Sequence, residues 1–230
     1  MFAAAYVQNG AKVYIASRKE KQLRESKAGC DALAAAIKQK EDKIHILINN
    51  SGATWGAPYD DFPEKEGWDR VLSLNVKAVF YLTSALTELL AKGSTADDPG
   101  RVINISSVAA ISTVATESLL AGSGNGLWSY NTSKAAVNHL TLNLASTLAP
   151  RYITVNAVMP GIFPSKMTAY GYKSQGSKGI AAGQPMGRTG MPRDMAGVAL
   201  FLASPASAHV TGAQIPLDGG AWVSRTKAAL

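Results

Sequence analysis

The run RVINIS, residues 101 to 106, decides the fold, because a short stretch rich in valine and isoleucine is typical of a buried β-strand. Three similar runs lie elsewhere: KVYIAS (12 to 17), KIHILIN (43 to 49) and ITVNAVM (153 to 159). Longer segments with helical periodicity separate most of them. Apolar strands that alternate with helices predict a parallel sheet covered on both faces. The sequence therefore predicts an α/β fold with a doubly wound parallel sheet.

The segments between these strands divide into helices and loops. Two loops are predicted, at residues 113 to 128 and 161 to 190, and the second carries seven glycines in thirty positions. An α/β chain of 230 residues is commonly one domain, so we expect a single domain over residues 1 to 230. Three helices are predicted from apolar residues at helical spacing: residues 68 to 91, 132 to 148 and 194 to 203.

Composition excludes several classes of protein. With 47% hydrophobic and 17% charged residues, the chain has no signature of disorder. The net charge of +7 allows acidic partners such as nucleotide phosphates, but no dense basic tract favours nucleic acid. No apolar run approaches the roughly 18 residues of a membrane span. Cys30 is the only cysteine, so a reducing, cytoplasmic location is expected, and no spacing of histidines suggests a metal site.

Six short motifs occur in a recognisable order along nearly the whole chain. Together they resemble the short-chain dehydrogenase/reductase family, and the segments IFPSKM and PMGRTGMP further resemble the 3-oxoacyl reductases of rhamnolipid biosynthesis. The resemblance implies a Rossmann-like fold and reduction of a ketone to an alcohol with a nicotinamide cofactor. The motifs are LINNSG (47 to 52), LNV (74 to 76), NISS (104 to 107), YNTSK (130 to 134), TVNAVMPG (154 to 161) and LDGG (217 to 220).

Four residues are predicted to carry the catalysis. Tyr130 and Lys134 are four apart on a predicted helix, so the ammonium can lie near the phenol and favour its ionised form. Ser107 closes a strand and can donate a hydrogen bond to the substrate oxygen. The resemblance makes Tyr130 the proton donor and Asn75 the residue that holds a water next to Lys134. A chance surface pair would be the simpler interpretation of Tyr130 and Lys134 alone, but the ordered motifs around them favour the catalytic one.

The predicted cofactor site lies at the carboxyl ends of the strands, where ligands bind to open parallel sheets. Gly52 lets the backbone approach a ligand closely. By resemblance, Lys134 also binds the nicotinamide ribose, and the segment after residue 159 contacts the carboxamide, with Ser165 where a threonine is usual. The predicted cofactor residues are Arg18, Asn50, Ser51, Gly52, Tyr130, Lys134, Pro160, Gly161, Ile162 and Ser165.

Arg18 follows the first predicted strand, where an enzyme specific for NAD would carry an acidic residue. An arginine can instead pair with a 2′-phosphate, which favours NADP(H) over NAD(H). The alternative is a solvated arginine at the start of a helix.

The chain departs from the family pattern in three places. The first strand with its glycine-rich loop is absent, and we expect the third strand to be absent as well, with two helical pieces broken at Gly29. Without the first strand, residues 12 to 17 must pair directly with residues 43 to 49 or stay unpaired. The 23 positions from Ser107 to Tyr130 also exceed the usual gap, which suggests a loop insertion.

Three hypotheses follow. The first is an NADP-dependent oxidoreductase that reduces a 3-oxoacyl-type ketone and forms a homo-oligomer, a dimer or a tetramer, as family members do. The second is a catalytically inactive, truncated family member that acts as an interaction partner. The third is an incomplete reading of a longer gene.

Overall fold

The structure, a computed structural model, describes residues 1 to 16, 26 to 116 and 118 to 224. Four strands form one sheet in which every neighbouring pair is parallel and spatial order follows chain order. The strands predicted at residues 101 to 106 and 153 to 159 are confirmed, and the one predicted at 43 to 49 forms in its second half. The strands are β1 (Ile46–Asn49), β2 (Gly100–Ile105), β3 (Ile153–Pro160) and β4 (Gln214–Leu217). Periodicity missed β4, which is four residues long and contains a proline.

Seven α-helices occur in the described residues, and the three predicted ones are among them. They are α1 (Phe2–Gln8), α2 (Ser26–Lys38), α3 (Arg70–Leu72), α4 (Ala78–Ala91), α5 (Trp128–Leu148), α6 (Ala169–Ala182) and α7 (Pro192–Ala203). Two π-helical segments, Glu64–Asp69 and Ser73–Lys77, join α3 and α4 into one continuous helical stretch. The helix predicted at residues 68 to 91 is therefore present, but it is not uniformly α-helical.

The sheet is covered on both faces, as predicted. Leu47, Val102 and Val155 are aligned across β1, β2 and β3 and pack against α2, α4 and α5. Ile103 and Val158 point the other way, toward α7 and α1. Alternating side chains thus fill two apolar layers, which is the period-two pattern of a strand buried on both faces. The fold is an α/β, Rossmann-like architecture.

Buried amides tie the carboxyl ends of the strands to the helices. Asn49 Nδ2 donates to Asn104 Oδ1 at 2.8 Å and lies 3.1 Å from Thr83 Oγ1 on α4. Asn104 Nδ2 donates in turn to Thr141 Oγ1 on α5 at 3.0 Å. Because buried polar groups are costly when unpaired, this chain of bonds favours one register of β1, β2 and both helices.

Two expectations about the first fifty residues were wrong. Residues 12 to 16 form no strand, and the Ile15 side chain is 79% exposed. The described residues provide no strand beside them, so the apolar run has no neighbour to pair with. Helix α2 runs through Gly29 without the predicted break, because Cys30 and Ala34 anchor it in the core.

The predicted loop at residues 161 to 190 was also partly wrong, because it contains α6. Many glycines hid the helix from periodicity, and the helix is itself interrupted at Gly176, where φ is +69°. In the part of the chain that is described, no helix has the length and apolar character needed to cross a bilayer.

Candidate active site

Two adjacent serines follow β2 and have different surroundings. Ser106 is buried, and its hydroxyl donates to the main-chain oxygen of Lys134 at 3.1 Å. The Ser107 hydroxyl accepts from the Ala109 amide at 3.1 Å and so caps a short 3-10 turn. Ser107 also interacts with the Tyr130 phenol. Ser106 therefore joins β2 to α5, and Ser107 faces the candidate acid.

Tyr130 and Lys134 lie on one face of α5, as their spacing predicted. The Lys134 ammonium is 5.7 Å from the centre of the Tyr130 ring and donates to the Ile105 carbonyl at 2.7 Å. Both side chains are buried. Helix α5 begins at Trp128, four residues before the predicted start, so Tyr130 sits in its first turn.

Burial controls the ionisation of this pair. It raises the pKa of the Tyr130 phenol, and the hydrogen bond with Ser107 opposes that rise. It also lowers the pKa of Lys134 to about 8, because a buried ammonium loses hydration. The pKa of the Tyr130 phenol is therefore raised by burial and not lowered as the sequence predicted, so the phenol is protonated at neutral pH.

Asn75 lies in the π-helical segment before α4 and is almost fully buried. Its Oδ1 accepts from the Ala53 amide at 2.8 Å, and its Nδ2 donates to the Ala53 carbonyl at 2.9 Å. The same Nδ2 donates to Ser133 Oγ at 2.9 Å, and Ser133 Oγ donates to the Tyr130 carbonyl at 2.7 Å. Asn75 therefore fastens the loop after β1 to the catalytic helix.

Ser133 was missed by the sequence reasoning. A usable signal was present, because residues three and four apart share one face of a helix and Ser133 is three positions after Tyr130.

The loop after β1 carries three of the predicted cofactor residues. Asn50 and Ser51 are exposed at the carboxyl end of the strand. Gly52 lies against the catalytic group, since a Cβ built on it would be 3.6 Å from both Asn75 Oδ1 and Lys134 Nζ. The structure thus brings Gly52, Asn75, Ser107, Tyr130 and Lys134 together.

The segment after β3 lies at the same edge of the sheet. The Gly161 amide donates to the Leu217 carbonyl at 3.0 Å, and a Cβ on Gly161 would be 2.6 Å from the Cβ of Asp218. Any larger residue would push β4 away, so a glycine is needed here. Pro160 ends β3, and Ile162 follows Gly161.

A cavity of about 280 Å³ opens beside Ile162 and Phe163. Its wall contains the ion pair of Arg188 Nη1 with Asp194 Oδ2, at 2.5 Å, which sequence reasoning did not find. Two predicted cofactor residues remain. The Ser165 hydroxyl is 3.0 Å from Thr168 Oγ1, just before α6, and Arg18 lies outside the described residues.

The long loop between Ser107 and Tyr130 is anchored near both ends. The Leu127 amide donates to the Ala115 carbonyl at 2.8 Å, and Gly126 pairs with both Ala57 and Thr116. The Trp128 ring packs edge-on against Tyr59, with 5.3 Å between ring centres. These contacts tie the loop to the segment that contains Ala57 and Tyr59.

The residues present fit the nicotinamide half of a dinucleotide. The Lys134 ammonium carries three N–H donors, and within the described residues the structure gives it one hydrogen-bond acceptor. Two buried donors beside Gly52 suit the hydroxyls of a ribose. For the phosphates, the described residues contain no glycine-rich turn between a strand and a helix, so the structure identifies groups for the nicotinamide ribose only.

Comparison with known proteins gives the family. The family model described as Enoyl-(Acyl carrier protein) reductase matches residues 1 to 221. The chain is 36% identical to the rhamnolipids biosynthesis 3-oxoacyl-[acyl-carrier-protein] reductase of Pseudomonas aeruginosa, over 96% of this chain and 90% of that protein. It is 37% identical to a 3-oxoacyl-[acyl-carrier-protein] reductase of Thermotoga maritima, over 80% of this chain and 68% of that one.

Similarity to solved structures points to the same family. The Pseudomonas aeruginosa RhlG/NADP active-site complex superposes with a TM-score of 0.77 and 40% identity, covering 86% of this chain and 74% of that one. A gluconate 5-dehydrogenase from Burkholderia cenocepacia, in complex with NADP and tartrate, gives a TM-score of 0.73 and 28% identity, covering 86% and 72%. The chain therefore belongs to the short-chain dehydrogenase/reductase family, whose members are oxidoreductases acting on CH–OH and C=O groups.

Proposed function

We propose that this protein reduces a ketone of the 3-oxoacyl type to an alcohol, with NADP(H) as the cofactor. The observation that carries the proposal is the buried group of Asn75, Ser107, Tyr130 and Lys134, held together at the carboxyl edge of the sheet. NADPH, when bound, supplies the hydride.

Tyr130 acts as the general acid. Its raised pKa keeps the phenol protonated at neutral pH, which is the form required to give a proton to the developing alkoxide. Ser107 lies next to the phenol and donates a hydrogen bond to the same oxygen, stabilising negative charge as it forms.

Lys134 maintains the site in two ways. Its ammonium, held by the Ile105 carbonyl, presents its other N–H donors to the ribose hydroxyls and stabilises the phenolate left after proton transfer. With a pKa of about 8, it can also give up and regain a proton near neutral pH. Asn75 holds the loop of Gly52 and Ala53 in place and binds a water beside Lys134.

The remaining cofactor contacts are assigned by position. Asn50, Ser51 and Gly52 follow β1 and Pro160, Gly161 and Ile162 follow β3, so both groups lie at the edge where Lys134 is found. Ser165 contributes from the next turn. Arg18 pairs with the 2′-phosphate and gives the preference for NADP(H).

The substrate class rests on the relatives. Two of the relatives reported above are named 3-oxoacyl-[acyl-carrier-protein] reductases, and Ile111 and Val114, which are exposed and follow Ser107 in the chain, suit an acyl chain. Assembly into a homodimer or homotetramer is part of the proposal.

The test compares substrates and cofactors with the purified chain. NADPH consumption is measured with a 3-oxoacyl thioester and, separately, with a keto sugar acid, and both are repeated with NADH. We expect turnover with the thioester and NADPH, and loss of the NADPH preference in Arg18→Asp, with Arg193→Asp as the control at another charged position. Turnover of the sugar acid alone would reject the substrate, and an unchanged preference in Arg18→Asp would reject the role of Arg18.

A further inference from the structure

Six methionines and one cysteine supply the sulfur atoms of this chain, and they differ in their access to solvent. Cys30 is buried, and burial raises the pKa of its thiol, so little of the reactive thiolate forms. Met159 and Met195 are buried as well. Met186 is the most exposed of the six methionines, at 64%. A thioether that peroxide can reach is oxidised to the sulfoxide.

The Met186 side chain is exposed and in contact with the fold at the same time. A Cβ built on Gly219 would lie 3.4 Å from both Cγ and Sδ of Met186, so the thioether lies close to the main chain of the turn after β4. Gly219 has φ of +65°, which also favours glycine there. Met186 also lines the cavity of about 280 Å³, together with Phe163 and Leu217.

The turn beside Met186 is joined to the segment after β3. Asp218 closes the turn, because its carboxylate accepts two amides of the turn, at 3.0 and 2.8 Å. The Asp218 Cβ also lies against Gly161, whose amide donates to the Leu217 carbonyl at 3.0 Å. A displacement of the turn therefore changes the packing at Gly161.

A second connection comes from the segment that carries Met186, residues 184 to 190, which we name the link. The Gly190 amide, at the end of the link, donates to the Ile162 carbonyl at 2.9 Å, and a Cβ on Gly190 would be 2.3 Å from the Phe163 ring. The link is thus attached to the segment after β3 at Gly190 and to the turn after β4 at Met186.

We propose that Met186 is a site of reversible oxidation by peroxides, and that the sulfoxide releases the link from the turn after β4. In the reaction the thioether sulfur takes one oxygen atom from hydrogen peroxide: the O–O bond breaks, an S–O bond forms, and the peroxide leaves as water. The sulfur loses two electrons and the peroxide gains them. Reduction by two thiols, which end as a disulfide while the oxygen leaves as water, restores the thioether.

The sulfoxide weakens the contact because it is polar. A polar group that stays against an apolar wall without a partner costs free energy, so the oxidised side chain turns toward water. The link then loses its attachment at Met186 and keeps the one at Gly190. Looser packing at Gly161 and Ile162 lowers the affinity for the nicotinamide cofactor, a consequence that rests on the proposed function.

Hydrogen peroxide treatment of the purified 230-residue chain, followed by peptide mass spectrometry and amide hydrogen exchange, tests the proposal. Met186 should be oxidised at least about twofold faster than Met167, which is 37% exposed, and Met195 should stay unmodified while the chain is folded. After oxidation the Gly190 amide should exchange at least about threefold faster, while the Val158 amide in the core stays protected.

Two substitutions separate the Met186 sulfur from the others. Met186→Leu keeps an apolar side chain without a sulfur atom, so peroxide should no longer change the exchange at Gly190. Met167→Leu is the matched control, and the effect of peroxide should persist in it. Calorimetric titration of NADPH before and after peroxide should show at least about a fivefold loss of affinity in the unmodified chain and no loss in Met186→Leu.

The proposal is overturned by equal rates of oxidation at Met186 and Met167, by unchanged exchange at Gly190 once Met186 is oxidised, or by a peroxide effect that survives in Met186→Leu. Unchanged NADPH affinity in the oxidised chain overturns the coupling to the cofactor. A chain that binds no NADPH before oxidation rejects the proposed function instead, and the exchange at Gly190 then decides this proposal alone.

Discussion

The two ends of the candidate site differ in how they are held. The catalytic end is enclosed: Asn75 makes three hydrogen bonds, Lys134 is buried against β2, and Tyr130 faces Ser107. The nucleotide end is open: residues 12 to 16 lie apart from the sheet, and Asn50 is exposed. The catalytic side chains in this chain are therefore carried by segments from β1 onward.

This difference separates the orientation of the catalytic side chains from the affinity for the cofactor. Orientation of the acid and of the lysine follows from packing of α4 and α5 on the sheet. Affinity for the cofactor depends additionally on the open end. Substitutions at the enclosed end should consequently change turnover and stability. Substitutions at the open end should change the affinity for the cofactor.

The largest effect is expected at the enclosed end. Tyr130→Phe removes the proton donor and keeps the ring, so ketone reduction should fall by about 10²–10⁴-fold, as for loss of a general acid. Cofactor affinity and thermal stability should stay near those of the unmodified chain. The measurement is the rate of NADPH consumption with a 3-oxoacyl thioester, and Tyr152→Phe, at an exposed tyrosine, is the matched control. Unchanged turnover in Tyr130→Phe would remove Tyr130 from the mechanism.

Asn75→Ala should lower the free energy of unfolding by about 2–4 kcal/mol, because it leaves both main-chain groups of Ala53 without their partner and removes the donor to Ser133 Oγ. Urea unfolding measures the change. Asn143→Ala, at an exposed position on α5, should change stability by less than about 0.5 kcal/mol. Equal effects of the two substitutions would show that the enclosed end is not held by Asn75.

Lys134 gives the enclosed end a dependence on pH. Its pKa is lowered from 10.5 to about 8 on folding, so between these values the unfolded chain binds more protons than the folded one. Stability supplied by Lys134 should therefore increase as pH rises through that window, by at most about 1.4 kcal/mol per pH unit. Below pH 8 its contribution should be constant.

The measurement is the difference in unfolding free energy between the unmodified chain and Lys134→Met across that window. Lys166→Met, at an exposed lysine, is the control. A flat difference for Lys134→Met would mean that the ammonium is hydrated rather than buried.

The smallest expected effect is a difference in stability between substitutions at two glycines of the site. Gly161→Ala should destabilise the protein by about 1–2 kcal/mol, because the new Cβ would be 2.6 Å from Asp218 Cβ. Gly52→Ala meets its nearest atoms at 3.6 Å, an ordinary contact, and should change stability by less than about 0.5 kcal/mol. Thermal unfolding measures both, and a larger loss for Gly52→Ala than for Gly161→Ala would contradict the closer packing at Gly161.

Sequence reasoning succeeded where local pattern and packing agree. Residues 101 to 106 and 153 to 159 are strands buried on both faces, and helical spacing placed Lys134 above Tyr130. It failed for residues 12 to 16, whose apolar pattern is that of a strand but which have no neighbouring strand in the described fold.

Other features depend on distant contacts that no local pattern reveals. The bonds from Asn75 to Ala53 and Ser133 join residues 22 and 58 positions apart. The direction of the Tyr130 pKa shift also escaped prediction, because it is set by burial, which the spacing of Tyr130 and Lys134 does not report.

The central claim is that the enclosed catalytic group works together with a nicotinamide cofactor bound at the open end. Calorimetric titration of NADPH into the purified 230-residue chain, with NADH alongside, tests it most directly. The account predicts saturable one-to-one binding that is tighter for NADPH than for NADH. No binding to a chain shown to be folded would contradict it, because Tyr130 and Lys134 would then have no source of hydride.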